Sequence, residues 1–232
     1  MTLNRQIILT ALLLSTMILL FGITDIDLYV QDFFYNFSTN KWILGWHQEP
    51  YRFIFYDGIK RLLIIIAVLF LLSLIVFWKK PLIQKYKQGM IILILSAIFV
   101  PAVASGLKSQ TNMPCPKDEV RYGGVYPRIA VWQHYTDEFK LQHPKKSKCW
   151  PAGHASGGFA LLSLFFLFKK RKNKILGLAI GFITGWSMGF YKMIIGDHFF
   201  SHTVITMLLS WLIILLIAKS VYSLHLLKKS TS

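Results

Sequence analysis

Acidic residues are scarce in this 232-residue chain: ten Asp and Glu stand against 26 Lys and Arg, a formal charge of +16. An excess of that size suits a phosphate-bearing partner. The cations lie between long apolar runs rather than on one amphipathic face, which argues against nucleic acid and for anionic lipid head groups. No hydrophilic block is long enough to fold alone, so a separate soluble domain is excluded. Internal repeats longer than a glycine period and low-complexity segments are also missing. Two cysteines, Cys115 and Cys149, allow one disulfide at most, in a segment that would have to face an oxidising compartment. No small-x-small site follows the first apolar run, where the residues are Ile23-Thr24-Asp25, so that run reads as an uncleaved span and not a signal peptide. No glutamate completes a His-Glu-x-x-His pattern, which weakens a metalloprotease reading.

What is present is apolar. Hydrophobic residues make up 54% of the chain and the mean hydropathy is +0.49, the composition of an integral membrane protein. A helix needs roughly 20 residues to cross a ~30 Å hydrocarbon core. Runs at about 6–23, 60–78, 90–107, 151–168, 175–195 and 203–221 therefore predict an all-α bundle of six transmembrane helices in a single domain, 1–232. The fourth run is long enough only if it starts near Pro151, a residue tolerated at a first helical position. Outer loops then cover 24–58 and 108–150. Short basic loops at 79–89 (Lys79, Lys80, Lys85, Lys87) and 169–174 (Lys169, Lys170, Arg171, Lys172, Lys174) place the termini inside. The 24–58 segment, with Asp25, Asp27, Asp32 and the rings of Tyr29, Phe33, Phe34, Tyr35, Trp42 and Trp46, reads as interfacial anchoring. Gly177, Gly181, Gly185 and Gly189 recur every fourth residue, which predicts a groove for a neighbouring helix of the same chain, with homodimerisation as the alternative.

Under this topology three polar stretches share the outer side: Lys108 to Pro116, Pro151 to His154, and Lys192 to His202. A helix start at Pro151-Ala152-Gly153 offers backbone N–H groups to an anion. Lys108 and Lys192 add positive charge, and His154, His198 and His202 move protons near neutral pH. Cations, helix terminus and paired histidines together suit phosphoryl transfer: one histidine attacks phosphorus while another protonates the leaving oxygen. Taken singly, each has an ordinary reading: a snorkelling lysine, a helix cap, a core histidine. His198 and His202 with His154 or Asp197 also offer a metal-binding alternative.

At these residues the sequence resembles the type 2 phosphatidic acid phosphatase superfamily, which shares its helical core with vanadium haloperoxidases. The family pattern is Lys-x6-Arg-Pro, Pro-Ser-Gly-His and Ser-Arg-x5-His-x3-Asp. Here it reads Lys108 through Cys115-Pro116, then Pro151-Ala152-Gly153-His154, then Tyr191-Lys192 with His198 and His202. The spacings hold, with cysteine for the first arginine, alanine for serine, lysine for the second arginine and histidine for aspartate. The resemblance implies His198 as the nucleophile forming a phosphohistidine and His154 as the acid. Lys108, Lys192 and the Gly153 backbone hold the phosphate, without metal or cofactor. Arg121 or Arg128 is expected to replace the arginine lost at Cys115, and His202 to orient His198 in place of the aspartate. A Cys115–Cys149 disulfide is expected to tie the first stretch to the second.

The combination of Cys115-Pro116, Tyr122-Gly123-Gly124, Cys149-Trp150-Pro151-Ala152-Gly153-His154 and Gly196-Asp197-His198-Phe199-Phe200-Ser201-His202 resembles, more narrowly, a bacterial lipid A phosphatase-like subgroup. It implies hydrolysis of a lipid phosphomonoester, lipid A favoured, at the periplasmic face of the inner membrane, with the basic loop Lys140 to Lys148 touching further head groups. Undecaprenyl pyrophosphate, phosphatidylglycerol phosphate and lipid-to-lipid phosphotransfer are the alternatives. A non-catalytic lipid-binding or transport protein on the same scaffold is the alternative outside enzymes.

Overall fold

The computed structural model describes residues 2–45 and 47–230, the side chains of 225–230 excepted, so Trp46 lies outside the described residues. The chain is mostly helical: α1 Leu3–Ile23, α2 Ile26–Asp32, α3 Ile59–Val76, α4 Pro81–Gln110, α5 Asp137–Gln142, α6 Gly153–Phe159, α7 Leu164–Leu167, α8 Arg171–Ile194 and α9 Phe200–Ser230. A π-helical turn, Phe53–Gly58, leads into α3.

Among the described residues, four helical segments are long and apolar enough to cross a membrane: Leu3–Ile23, Phe53–Val76, Pro81–Gln110 and Phe200–Leu224. The fourth expected run starts at Gly153 rather than Pro151, and its apolar helical stretch is only Gly153–Leu167. A 3₁₀ turn, Ala160–Ser163, divides it. The fifth, α8, has the length, but its lysines and glycines hold its hydropathy below the other four. The third begins well before residue 90, because Pro81 occupies the first turn of α4, where a missing N–H costs nothing.

Lipid exposure and packing divide these helices sharply. On α3, Leu62, Ile65, Leu69, Leu72 and Ile75 all stand in the open, as a helix bathed in hydrocarbon requires. On α8 the small residues face inward. A Cβ on Gly181 would lie 2.4 Å from the Leu162 backbone nitrogen, one on Gly185 2.2 Å from the Phe159 ring, and one on Gly189 2.4 Å from Thr203. The glycine period is therefore spent within the chain, letting α8 approach the 153–167 stretch backbone to backbone and take the Thr203 side chain of α9 against Gly189. Ile92, Val100, Ala152, Ala155, Phe159, Ile214 and Ala218 fill the space between α4, α6 and α9.

The 24–58 segment does not lie flat as an anchor. Tyr29 and Phe33 are exposed, but Asp27 and Gln31 are buried. A short antiparallel ladder pairs Tyr35 with Trp42 and Asn36 with Lys41. Tyr35 packs with Tyr122 and Phe199, and the Trp42 indole fills the space a side chain at Gly196 would need. Gly196 has φ 74°, a left-handed turn that closes α8. The aromatic content came from packing onto the α8–α9 link, a role that composition alone does not distinguish from interfacial anchoring.

Candidate active site

The three polar stretches meet at one end of the bundle and are stitched together. Cys115 and Cys149 are paired, with Cα atoms 5.1 Å apart. Beside them the Cys149 N–H donates to the Met113 carbonyl at 3.1 Å, and the Thr111 hydroxyl donates to the Trp150 carbonyl at 2.7 Å. The first stretch reaches the third through the Lys117 N–H, which donates to the Gly196 carbonyl at 3.0 Å. The second reaches α9 through the Ala152 N–H, which donates to Thr206 Oγ1 at 2.8 Å. Thr206 in turn donates to the His202 carbonyl one turn back, so a threonine inside a membrane helix has all its polar atoms in use.

His154 opens α6, half-buried, with its ring centroid 4.4 Å from that of Tyr56. Lys192 Nζ lies 4.3 Å from the centre of the same tyrosine ring, on the opposite element. Lys108 comes down past Gly153: its Cδ is 3.9 Å from the point where a Cβ would stand. A larger residue at 153 would crowd that lysine. Lys192, Lys108 and Lys60 all bear electrostatically on His154, and Lys108, Lys192 and His154 on His198. The geometry thus gathers two histidines and three cations at one place.

His198 sits on the link between α8 and α9 and is 3% exposed. Burial first, then the charges of His202, Lys108 and Lys192, push its imidazole well below the ordinary histidine range. Burial thus favours the neutral imidazole, which carries a lone pair on one ring nitrogen. Among the described residues its enclosed Nδ1 has no hydrogen-bond partner.

Three expected roles do not match the geometry. His202 does not hold His198 by a hydrogen bond: the rings meet edge-on at 5.7 Å, and His202 faces the backbone of Cys149 instead. An imidazole four residues along the helix lacks the reach and the charge of the carboxylate it replaces. Arg121 is committed to Asp32, with Nε–Oδ1 2.9 Å and Nη2–Oδ2 2.5 Å. Arg128 donates to the Thr24 carbonyl at 2.9 Å and sits 3.6 Å from Asp25. Neither arginine faces the histidines, because the loop turns both back towards the residues that follow α1.

Lys117 is the cation that motif reading passed over. It stands two positions after Cys115, and its Nζ is 2.7 Å from Asp197 Oδ1. Asp197 Oδ2 meets Lys192 Nζ at 2.8 Å, so one carboxylate bridges two lysines where an anion would be expected to bind. The signal was in the sequence, as a lysine beside the vacant arginine position. Tyr56 and Lys60 were missed as well, because they precede the motifs by some 50 residues and only α3 brings them there.

Among the described residues, the set of three donors close enough for a metal is Cys115, Asp118 and Cys149, whose sulfurs are already joined to each other. The histidines form no such set.

Below His154 a cavity of about 580 Å³ runs between α3, α4, α6 and α8. Lys60, Lys108, Gly153 and His154 line its polar end, and residues such as Leu63, Phe70, Leu93 and Leu161 line the rest.

Comparison with curated proteins and with solved structures returned no match. A family model, the PAP2 superfamily, matches residues 89–225, a stretch that contains all three motif elements and both histidines. Members of that superfamily are generally phosphatases, which points to action on phosphorylated lipids. With more than half its length matched, and its apolar helices carrying the site, the chain belongs to the PAP2 superfamily.

Proposed function

We propose that this protein is a six-span lipid phosphate phosphatase, with α6–α7 and α8 as its fourth and fifth crossings. The observation that carries this reading is that Lys60, Lys108 and His154 line the polar end of an otherwise apolar cavity of about 580 Å³. A phosphate anchored by Lys108, Lys192 and the first-turn N–H groups at Gly153 leaves its acyl chains to run between α3 and α4 towards the bilayer. Free phosphorylated metabolites have no use for such a cavity.

His198 attacks phosphorus through Nε2 as the ester P–O bond breaks, and the departing alkoxide takes its proton from His154. Water then attacks the phosphohistidine, losing a proton to His154. The P–N bond breaks, inorganic phosphate leaves, and both histidines return to their starting forms. Lys108 and Lys192 stabilise the equatorial oxygens in each half-reaction, and an arriving phosphate competes with Asp197 for Lys192. Lysines in place of arginines supply charge without the bidentate fork.

The favoured substrate is lipid A, acted on at the outer face of a bacterial inner membrane. The Cys115–Cys149 pair favours an oxidising compartment on that side, and the dense basic loops 79–89 and 169–174 favour the opposite face inside. Purified protein assayed against lipid A, undecaprenyl pyrophosphate, phosphatidylglycerol phosphate and phosphatidic acid tests the proposal. Phosphate release from at least one, with a phosphoprotein trapped by acid-free quench and absent in His198→Ala, is expected. Lipid binding without release from any member would make the chain a non-catalytic binder.

A further inference from the structure

The link that carries His198 is short, and its own backbone secures only one end of it. The N–H groups of Asp197 and His198 donate to the Lys192 carbonyl at 2.8 and 3.2 Å, and that of Gly196 to the Met193 carbonyl at 3.0 Å. These bonds tie the link to the end of α8. The start of α9 has unfilled first-turn donors, as any helix does.

Both ends are closed by one face of α2. Gln31, fully buried, donates from Nε2 to the Met193 carbonyl at 2.8 Å. Four residues earlier, and so on the same face of the helix, Asp27 accepts the Ser201 N–H on Oδ1 at 2.8 Å and the Ser201 hydroxyl on Oδ2 at 2.5 Å. A carboxylate on the N–H groups of a helix start acts as a cap, here supplied from a distant segment. Arg128 bears electrostatically on the buried Asp27 carboxyl, which gives that arginine a purpose away from the phosphate. α2 is fastened in turn: Asp32, one residue past Gln31, holds Arg121 and accepts the Tyr122 hydroxyl at 2.9 Å.

We propose that α2 is a positioning clamp: Asp27 and Gln31 act on the reaction by holding the two ends of the link that presents His198. The proposal rests on His198 being the nucleophile, and it assigns these two residues no contact with substrate. The physical need is plain. Among the described residues His198 Nδ1 has no hydrogen-bond partner, so no bond at that atom aims the ring, and the backbone carries more of that task. A displacement of about 1 Å at a nucleophile is enough to cost ~10²-fold in rate.

The test uses the full chain in detergent with a lipid phosphomonoester it hydrolyses. Asp27→Ala and Gln31→Met remove the two bonds, the second with little change of volume, and Asp27→Asn keeps one acceptor on Ser201. The expected result for the first two is a kcat lower by ~10–100-fold, with KM within about threefold and phosphoenzyme formation slowed in step. Asp27→Asn recovers most of the loss. Amide exchange of residues 195–203 should quicken in Asp27→Ala. Wild-type kcat in both Asp27→Ala and Gln31→Met, or a loss explained wholly by a lower folded fraction, overturns the clamp. Should Asp27→Ala fail to fold, Gln31→Met and Asp27→Asn carry the same comparison. Unchanged exchange at 195–203 overturns the clamp whatever His198 does. A fully active His198→Ala overturns only the nucleophile assignment.

Discussion

His198 is 3% exposed, on a link held by its own helix and by α2, whereas His154 opens α6 half-buried beside a cavity, with Tyr56 against its ring. In the proposed mechanism the two need different things. A nucleophile makes a bond along one line and benefits from being held. An acid must meet leaving groups of varying shape, and later a water, so it benefits from standing at an open edge. The difference between the two halves follows from where the chain places them: one between two long helices, the other at the mouth of a short, broken one.

Removing each histidine should break the comparison most strongly. His198→Ala is expected to lower kcat by at least ~10³-fold for every substrate, because the proposed covalent intermediate forms on its imidazole. His154→Ala should cost ~10²–10⁴-fold with an alkyl phosphate lipid. It should cost far less with a nitrophenyl phosphate ester, whose leaving group departs without a proton. Measuring kcat for both variants on both substrates separates the roles. Equal losses on the two esters in His154→Ala would remove the acid assignment.

The disulfide gives the next effect in size. It closes a loop of sequence separation 34 and joins the Lys117 stretch to the entrance of α6. The chain-entropy relation puts its contribution at about 4 kcal/mol. The Cys115→Ser/Cys149→Ser double variant should therefore melt well below wild type. Its KM should rise more than its kcat falls, since the bond joins the cation-bearing stretch to the His154 side and does not touch the α2 contacts at Met193 and Ser201. A fall in kcat at constant KM would instead tie the bond to the nucleophile half.

Much of the site was legible before any coordinates. Residue type, topology and motif spacing marked Lys108, His154, Lys192 and His198 as candidates, and the fold brings these stretches to one end of the bundle. The glycine period of α8 was equally readable, since only close helix packing requires it. The replacements were not. Arg121 and Arg128 seemed free to serve the phosphate, but their partners, Asp32 and Thr24, are some 90 to 100 residues away in sequence. The same holds for α2, whose Asp27 and Gln31 look like ordinary interfacial polar residues until Ser201 and Met193 are seen beside them. Periodicity reports which face of a helix is buried. It carries no information on what a loop folds back upon.

The smallest predicted effect concerns a carboxyl behind the His198 half. Glu119 is 3% exposed and lines a cavity of about 210 Å³ with Asp27, Arg128 and Ser201. Burial pushes it up to about 8, against the pull of Arg128 and with a further push from Asp27. The folded chain thus holds this proton more tightly than the unfolded one, whose carboxyl titrates near 4.5. Stability from this group is complete below that value and declines as pH rises towards about 8, after which it is constant. Glu119→Gln mimics the protonated form, so it should lie close to wild type at pH 5 and exceed it at pH 9. Thermal melts of both proteins across that range check the sign. Because Glu119 shares its cavity with Asp27, the variant should also flatten any alkaline loss of kcat that arises from loosening of α2, while the response of His154→Ala to leaving group stays as before. A variant that melts in parallel with wild type at every pH would show that Glu119 is already ionised in the fold and that the His198 half is no more sensitive to pH than the His154 half.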